Sequence, residues 1–153
     1  MQLNWQEAID FCYGLEFAGE TDWRLPSRNE LENLLDLSEY NPALPKEHPF
    51  LNVQANSYWS STTYASYTGS AWGVYMLGGS MNYYSKVSGN YVWPVRGGQF
   101  DSSGSLIIPG LSDGQQHFTD NLNCTITDNR TGLVWIKDMD SIEVIPSDVG
   151  EDL

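Results

Sequence analysis

Basic residues are scarce in this chain. Seven Lys and Arg stand against twenty Asp and Glu, a formal net charge of −13 at pH 7. A field of that sign repels polyanions and anionic bilayers over a Debye length, roughly 8–10 Å at physiological salt. Nucleic acid is therefore a poor partner. Long apolar runs are missing too: nothing approaches the roughly 20 residues of a membrane span, so no membrane insertion is expected. The first residues lack the basic, apolar and small-residue succession of a signal peptide, which places any export signal outside this chain. Cysteine and histidine are equally thin. Cys12, Cys124, His48 and His117 are isolated from one another in sequence, without the CxxC or Cys/His clustering that zinc needs. No metal site and no cofactor are expected from them. Two buried thiols and a single disulfide both fit the two cysteines at this level. No G-x-S-x-G, H-E-x-x-H or phosphate loop is present, and no catalytic residue is nominated.

What the chain has in quantity is aromatic residues: six Trp, nine Tyr and five Phe within 153 positions. That length suits one main domain with appendages. Aromatic side chains fit half-buried pleated surfaces, so strands and turns should dominate. Helical signals are confined to the first forty residues. Asn4 and Glu7 make an N-x-x-E start, followed by Trp5, Ala8, Ile9, Cys12 and Leu15 at helical spacing, with Gly19 as the stop. Ser27 and Glu30 repeat the start after Pro26, and Leu31, Leu34 and Leu35 supply the buried stripe. Pro42, Pro45 and Pro49 forbid a regular element over 41–56. Beyond it, 58–63, 71–77, 81–86 and 91–96 read as antiparallel strands, with turns at Gly78-Gly79 and 88–90. The Gly- and Ser-rich stretch at 100–115 reads as a linker or long loop after a body at 1–99. A small β unit over 116–137 follows, with strands at 117–119, 124–127 and 133–136. An acidic, solvated tail is expected over 138–153.

Three words in a fixed order carry a family likeness. Residues 5–12 (WQEAIDFC) precede 19–31 (GETDWRLPSRNEL), which precede 58–62 (YWSST), then Ala71-Trp72 and Val95-Arg96-Gly97. Over residues 3–98 the chain resembles the Lcl C-terminal domains. The resemblance implies an α+β, C-type-lectin-like fold, related to the sulfatase-modifying fold, with two N-terminal helices packed on a short-stranded antiparallel sheet. In physical terms Trp23, Leu25 and Pro26 would wedge the second helix against the sheet, and Arg24 and Glu30 would pair at its start. Together with Trp59 and Arg96 these are expected to be folding residues.

Domains of this kind normally open on a hairpin reading roughly T-D-N-x-T-G-L-x-W. Here that word stands near the end, at 127–135. It either completes this domain's sheet, in the same chain or by strand exchange with a second copy, or opens a truncated second domain. The resemblance also implies a disulfide from Cys12 to the last strand, where Pro94 stands instead. Cys124, in the displaced hairpin, is then the expected partner of Cys12.

For function, the resemblance implies a non-enzymatic module in an extracellular, cell-surface or periplasmic setting. It would be adhesin-like, recognising a glycan or a surface protein. Tyr64, Tyr67, Trp72, Tyr83 and Tyr84, beside the Gly- and Ser-rich loops, are the candidate ligand-binding residues. The E-P-N or Q-P-D and W-N-D words of calcium-dependent lectins are absent. The scattered cations Arg24, Arg28, Lys46, Lys86, Arg96, Arg130 and Lys137 suit no sulfated polymer, so the expected glycan is neutral. A structural repeat of a multi-domain surface protein is the alternative.

Overall fold

A computed structural model describes residues 2–142 of the chain. It is an α+β fold with two helices, α1 (Trp5–Gly14) and α2 (Arg28–Leu34), and two antiparallel sheets. The first sheet runs β1 (Ser57–Thr63), β2 (Ser70–Tyr75) and β3 (Ser80–Ser85) in chain order. The second holds β4 (Val95–Gly97), β5 (Phe118–Asp120), β6 (Thr125–Asp128) and β7 (Leu133–Ile136) in the order β4-β7-β6-β5.

Both helices begin on reciprocal capping boxes. The Asn4 side chain accepts from the Glu7 amide and the Glu7 carboxylate accepts from the Asn4 amide; Ser27 and Glu30 do the same for α2. Each box satisfies amides that helix geometry leaves orphaned. α1 stops at Gly14, one turn before the expected Gly19. Gly19, at φ +77°, instead makes the tight turn in which Phe17 and Glu20 exchange main-chain hydrogen bonds.

Alternation along β1 and β2 decides which helix lies on which face. Trp59 and Ala71 pack with Ala8, Cys12 and Leu25, toward α1. Tyr58 and Val74 join Leu31, Leu34 and the apolar residues of the second sheet. Neighbours in a strand point to opposite faces, so the first sheet is covered on both sides. Indole N–H groups tie distant segments to main-chain carbonyls: Trp5 to Ser60 (2.9 Å), Trp23 to Phe17 (3.1 Å), Trp59 to Leu3 (2.8 Å) and Trp93 to Ile136 (3.0 Å). Each such ring removes roughly 150–250 Å² from water, a gross transfer term of about 4–6 kcal/mol.

The 23–26 word sits where the layers meet. Arg24 and Val95 exchange both main-chain hydrogen bonds at 2.9 Å, so Arg24 extends the second sheet beyond β4. Two residues on, the Pro26 carbonyl accepts from the Ser61 amide at 2.8 Å, which fixes α2 to the first sheet. Arg96 in β4 holds Asp22 at 2.6 Å and Glu20 at 3.1 Å. The Arg96 hydrogen bond keeps the Asp22 carboxyl below its ordinary range.

The displaced hairpin pairs within the same chain. β7 lies antiparallel to β4, with Val95 opposite Trp135 and Gly97 opposite Leu133. Its turn explains the T-D-N-x-T-G word. Asp128 Oδ1 accepts from the Arg130 amide, the Asp128 carbonyl accepts from Gly132, and Gly132 takes φ +75°, which glycine adopts without a Cβ clash. The Asn129 side-chain amide donates to the Gln116 carbonyl and to Thr119 Oγ1, holding β5 against the turn.

Three expectations need correction and one open alternative closes. The expected 91–96 strand shrinks to Val95–Gly97, because Tyr91 bridges in parallel to Tyr58 in the first sheet and the chain then crosses, through Pro94, to the second. Of the two readings of 100–115, the structure has the long loop: Phe100 bridges Leu106, which packs on the core, and the Gly110 amide donates to the Arg130 carbonyl. In the tail, Met139–Ser141 form a 3-10 turn and Ile142 is buried, so chain order extends past 138. The remainder of that tail, 143–153, lies outside the described residues.

The Cys12–Cys124 bridge is the third correction. Both thiols are free, Cys12 buried and Cys124 exposed. Cys12 faces the Trp59 and Ala71 side of the first sheet, whereas Cys124 ends the β5–β6 turn of the second. Burial pushes the Cys12 thiol up to about 12, and the thiolate is the reactive form. A thiol reagent at neutral pH is therefore expected to label Cys124 alone in the native protein and both cysteines after denaturation. Counting no titratable thiol in denatured, non-reduced protein would restore the bridge.

Candidate functional site

Strand register gathers three of the five nominated aromatics. Trp72 in β2 is paired with Tyr83 in β3, so their rings share a face. Tyr64, just past β1, completes the group. It stacks on Tyr83 with centroids 4.1 Å apart and planes 3° from parallel, and meets Trp72 edge-on at 5.1 Å. Tyr83 remains 53% exposed, so one side of the stack faces water.

The other two nominees lie elsewhere. Tyr84 follows Tyr83 in the strand and points to the opposite face, where its oxygen accepts from the Ser57 hydroxyl at 2.8 Å and its ring meets Trp59 edge-on. It is a packing residue. Tyr67 is exposed and lies over Gly69 in the β1–β2 loop, without an aromatic neighbour among the described residues. It borders the group through the loop alone, its amide donating to the Tyr64 carbonyl.

A residue that the sequence reading counted only among the scattered cations joins this group to a groove. The Arg28 guanidinium stands 3.8 Å from the Trp72 ring centroid and donates to Glu32 at 2.9 Å. Its amide donates to Thr62 Oγ1, tying the start of α2 to the end of β1. Arg28 also lines an open groove of about 480 Å³, together with Asn29, Glu32, Thr62, Phe100 and Ser105. Aromatic faces thus adjoin a carboxylate, a carboxamide and hydroxyls. The only advance signal for Arg28 was its place one residue after the helix cap.

The nominated folding residues hold this end in place. Glu30 is buried and takes the Arg24 guanidinium in a two-pronged pair, 2.6 Å on each oxygen. Trp23, Leu25 and Trp59 are buried behind it. Five of the seven basic side chains, Arg24, Arg28, Lys46, Arg96 and Lys137, are paired with carboxylates. Among the described residues no three His, Cys, Asp or Glu side chains converge as a metal centre, and no helix is long and apolar enough to cross a membrane.

A family model described as the Lcl C-terminal domain matches residues 1–96. No curated protein and no solved structure matches the chain.

Proposed function

The chain belongs to the Lcl C-terminal domain family, and from that premise we propose that it is a non-enzymatic, lectin-like binding module working outside the cytoplasm, with neutral carbohydrate as its ligand. The observation that carries the reading is the half-exposed Tyr64–Tyr83 stack beside Trp72. Flat aromatic faces suit the apolar faces of sugar rings, and Glu32, Asn29 and Thr62 in the adjoining groove offer acceptors and donors for hydroxyl groups. Neutrality of the ligand follows from charge. With five basic side chains already engaged by carboxylates and −13 overall, a sulfated polymer meets repulsion without a compensating cluster of cations.

Neutral-glycan arrays followed by titration calorimetry test this. Tyr83→Ala is expected to weaken the interaction roughly two- to tenfold, as loss of an aromatic contact of about 0.5–1.5 kcal/mol implies. Tyr67→Ala should change it less, and a heparin column should not retain the protein at about 0.15 M salt. Blank arrays, or a Tyr83→Ala variant that binds as the parent does, would move the assignment to the structural module of a multi-domain surface protein.

A further inference from the structure

Three of the four strands at the sheet edges are shielded. β1 is covered by Tyr91, which donates to the Ser57 carbonyl and accepts from the Trp59 amide, and by Pro26, whose carbonyl takes the Ser61 amide. Arg24 lies along β4. β5 is three residues long and ends on Asp120, which is paired with Lys137. Charge, proline, bulges and short length keep free edges from pairing, and β3 has none of these. Its six residues, Ser80–Ser85, carry no charge and no proline, and they pair with β2 in unbroken register. The Lys86 amide donates to the Gly69 carbonyl at 2.8 Å, and the bonding of an antiparallel pair alternates from there. Asn82 and Tyr84 therefore turn their main-chain groups to β2, whereas Met81, Tyr83 and Ser85 turn theirs outward. Apart from the Ser85 carbonyl, which takes the Ser88 amide, those outward groups have no partner among the described residues.

Charge marks the same strand. The protein carries −13 overall, yet no Asp or Glu occurs between Glu47 and Asp101, and all of the first sheet lies in that interval. The Lys and Arg residues there are Lys86 and Arg96, the latter engaged by Asp22. Glu32, which reaches this side from α2, is held by Arg28. Two copies of a strongly acidic protein repel over a Debye length of roughly 8–10 Å; along β3 they meet without facing carboxylates. A basic peptide finds no carboxylate on this strand to favour it, and an acidic one is repelled by the molecule as a whole. The outward groups are also symmetric about Tyr83. An antiparallel copy centred there sets Met81 opposite Ser85 and Tyr83 opposite itself, so each outward amide meets an outward carbonyl.

We propose that β3 is a self-pairing edge: two copies of the chain join antiparallel about a two-fold axis at Tyr83, making one continuous sheet in the order β1-β2-β3-β3-β2-β1. The axis is normal to the sheet, so both Tyr64–Tyr83 stacks lie on one face of the pair. Pairing consumes both open edges, and association stops at the dimer. A single strand pair is smaller than the roughly 1,200–2,000 Å² of stable interfaces; the dimer is weak and depends on concentration. It forms whether or not a glycan binds the stacks.

Sedimentation equilibrium of the full chain from micromolar to millimolar concentration is the test, joined to amide hydrogen exchange. The mass should rise from monomer to dimer and no further. As it does, the Met81, Tyr83 and Ser85 amides should become protected, while those of Asn82 and Tyr84, already bonded to β2, stay protected throughout. Tyr83→Glu and Tyr83→Lys each set like charges directly opposite one another across the axis and should weaken self-association roughly five- to tenfold. An equimolar mixture of the two should recover it as a mixed dimer. Both changes fall on a side chain 53% exposed, and circular dichroism of each checks that it folds. Gln116→Glu, which adds a negative charge at an exposed position before β5, should leave the dimer unchanged. A chain that stays monomeric at millimolar concentration, leaving the edge to a foreign strand, overturns the proposal. So do Tyr83 variants that associate as the parent does, or a mixture of them that stays monomeric.

Discussion

Replacing Arg24 by alanine is expected to destabilise the fold by about 3–5 kcal/mol, more than replacing Glu30 by alanine. Arg24 and Glu30 meet through two contacts of 2.6 Å, and the Glu30 carboxylate also accepts the Ser27 amide at 2.8 Å. The two partners differ in what each leaves behind. Without Arg24, a carboxylate only 1% exposed loses its counter-charge and both 2.6 Å contacts. Without Glu30, the guanidinium is still 28% exposed and keeps the Gly97 carbonyl at 3.2 Å, so it can rehydrate. Glu30→Ala then loses the pair and half of a capping box, about 1–3 kcal/mol. Urea unfolding of both variants decides this. Equal losses, or losses below about 1 kcal/mol in both, would mark an ordinary surface pair. The same fork seats the start of α2, and with it Arg28 over Trp72. Arg24→Ala should therefore also weaken any ligand held at that end, without touching the ligand.

What was legible in the sequence was local. Asn4 with Glu7 and Ser27 with Glu30 name both helix starts because a capping box closes within three residues. The first three strands fall within a residue or two of their expected bounds at most ends, since Gly and Ser punctuate a hairpin meander. The stretch around Trp93 was not legible: its residues read as strand, yet Tyr91 pairs with one sheet and Val95 with the other. Such a crossover is fixed by both sheets together and leaves no period of its own. The cysteine pairing failed for a related reason. Cys12 and Cys124 belong to different layers, and nothing within a few residues of either reports that distance in space.

For the candidate site, composition pointed to the right region and only partly to the right residues. Tyr83 and Tyr84 were nominated together although a strand sends neighbours to opposite faces; that rule alone would have set Tyr84 apart. Trp72 and Tyr83 required knowing the β2–β3 register. Arg28, Glu32 and Phe100 required the tertiary fold, because the groove they border brings α2 to the 100–106 loop. A helix residue over an aromatic ring is visible only once the helix has been placed.

The second large effect is expected at Trp135, and it tests whether the matched body and the C-terminal sheet are one cooperative unit. Trp135 lies outside residues 1–96, is fully buried, and meets Trp93 of the body at 5.5 Å and 66°. Val95 stands opposite it across β4–β7 and Ile126 across β6–β7. Its indole N–H has no partner among the described residues, so removing the ring strands no carbonyl. Trp135→Ala is thus a large-to-small change in which cavity and transfer terms act alone, about 3–5 kcal/mol. Trp93→Ala removes a ring of the same size and also leaves the Ile136 carbonyl without its donor, so it should cost more. Against a total stability of about 5–15 kcal/mol for an ordinary domain, either loss is a large fraction. If the two sheets fold together, Trp135→Ala lowers the midpoint of a single transition, read identically by far-ultraviolet circular dichroism and by tryptophan fluorescence. If residues 1–96 fold independently, the variant shows two transitions, and the one reporting the body's buried Trp23 and Trp59 stays where it is in the parent protein.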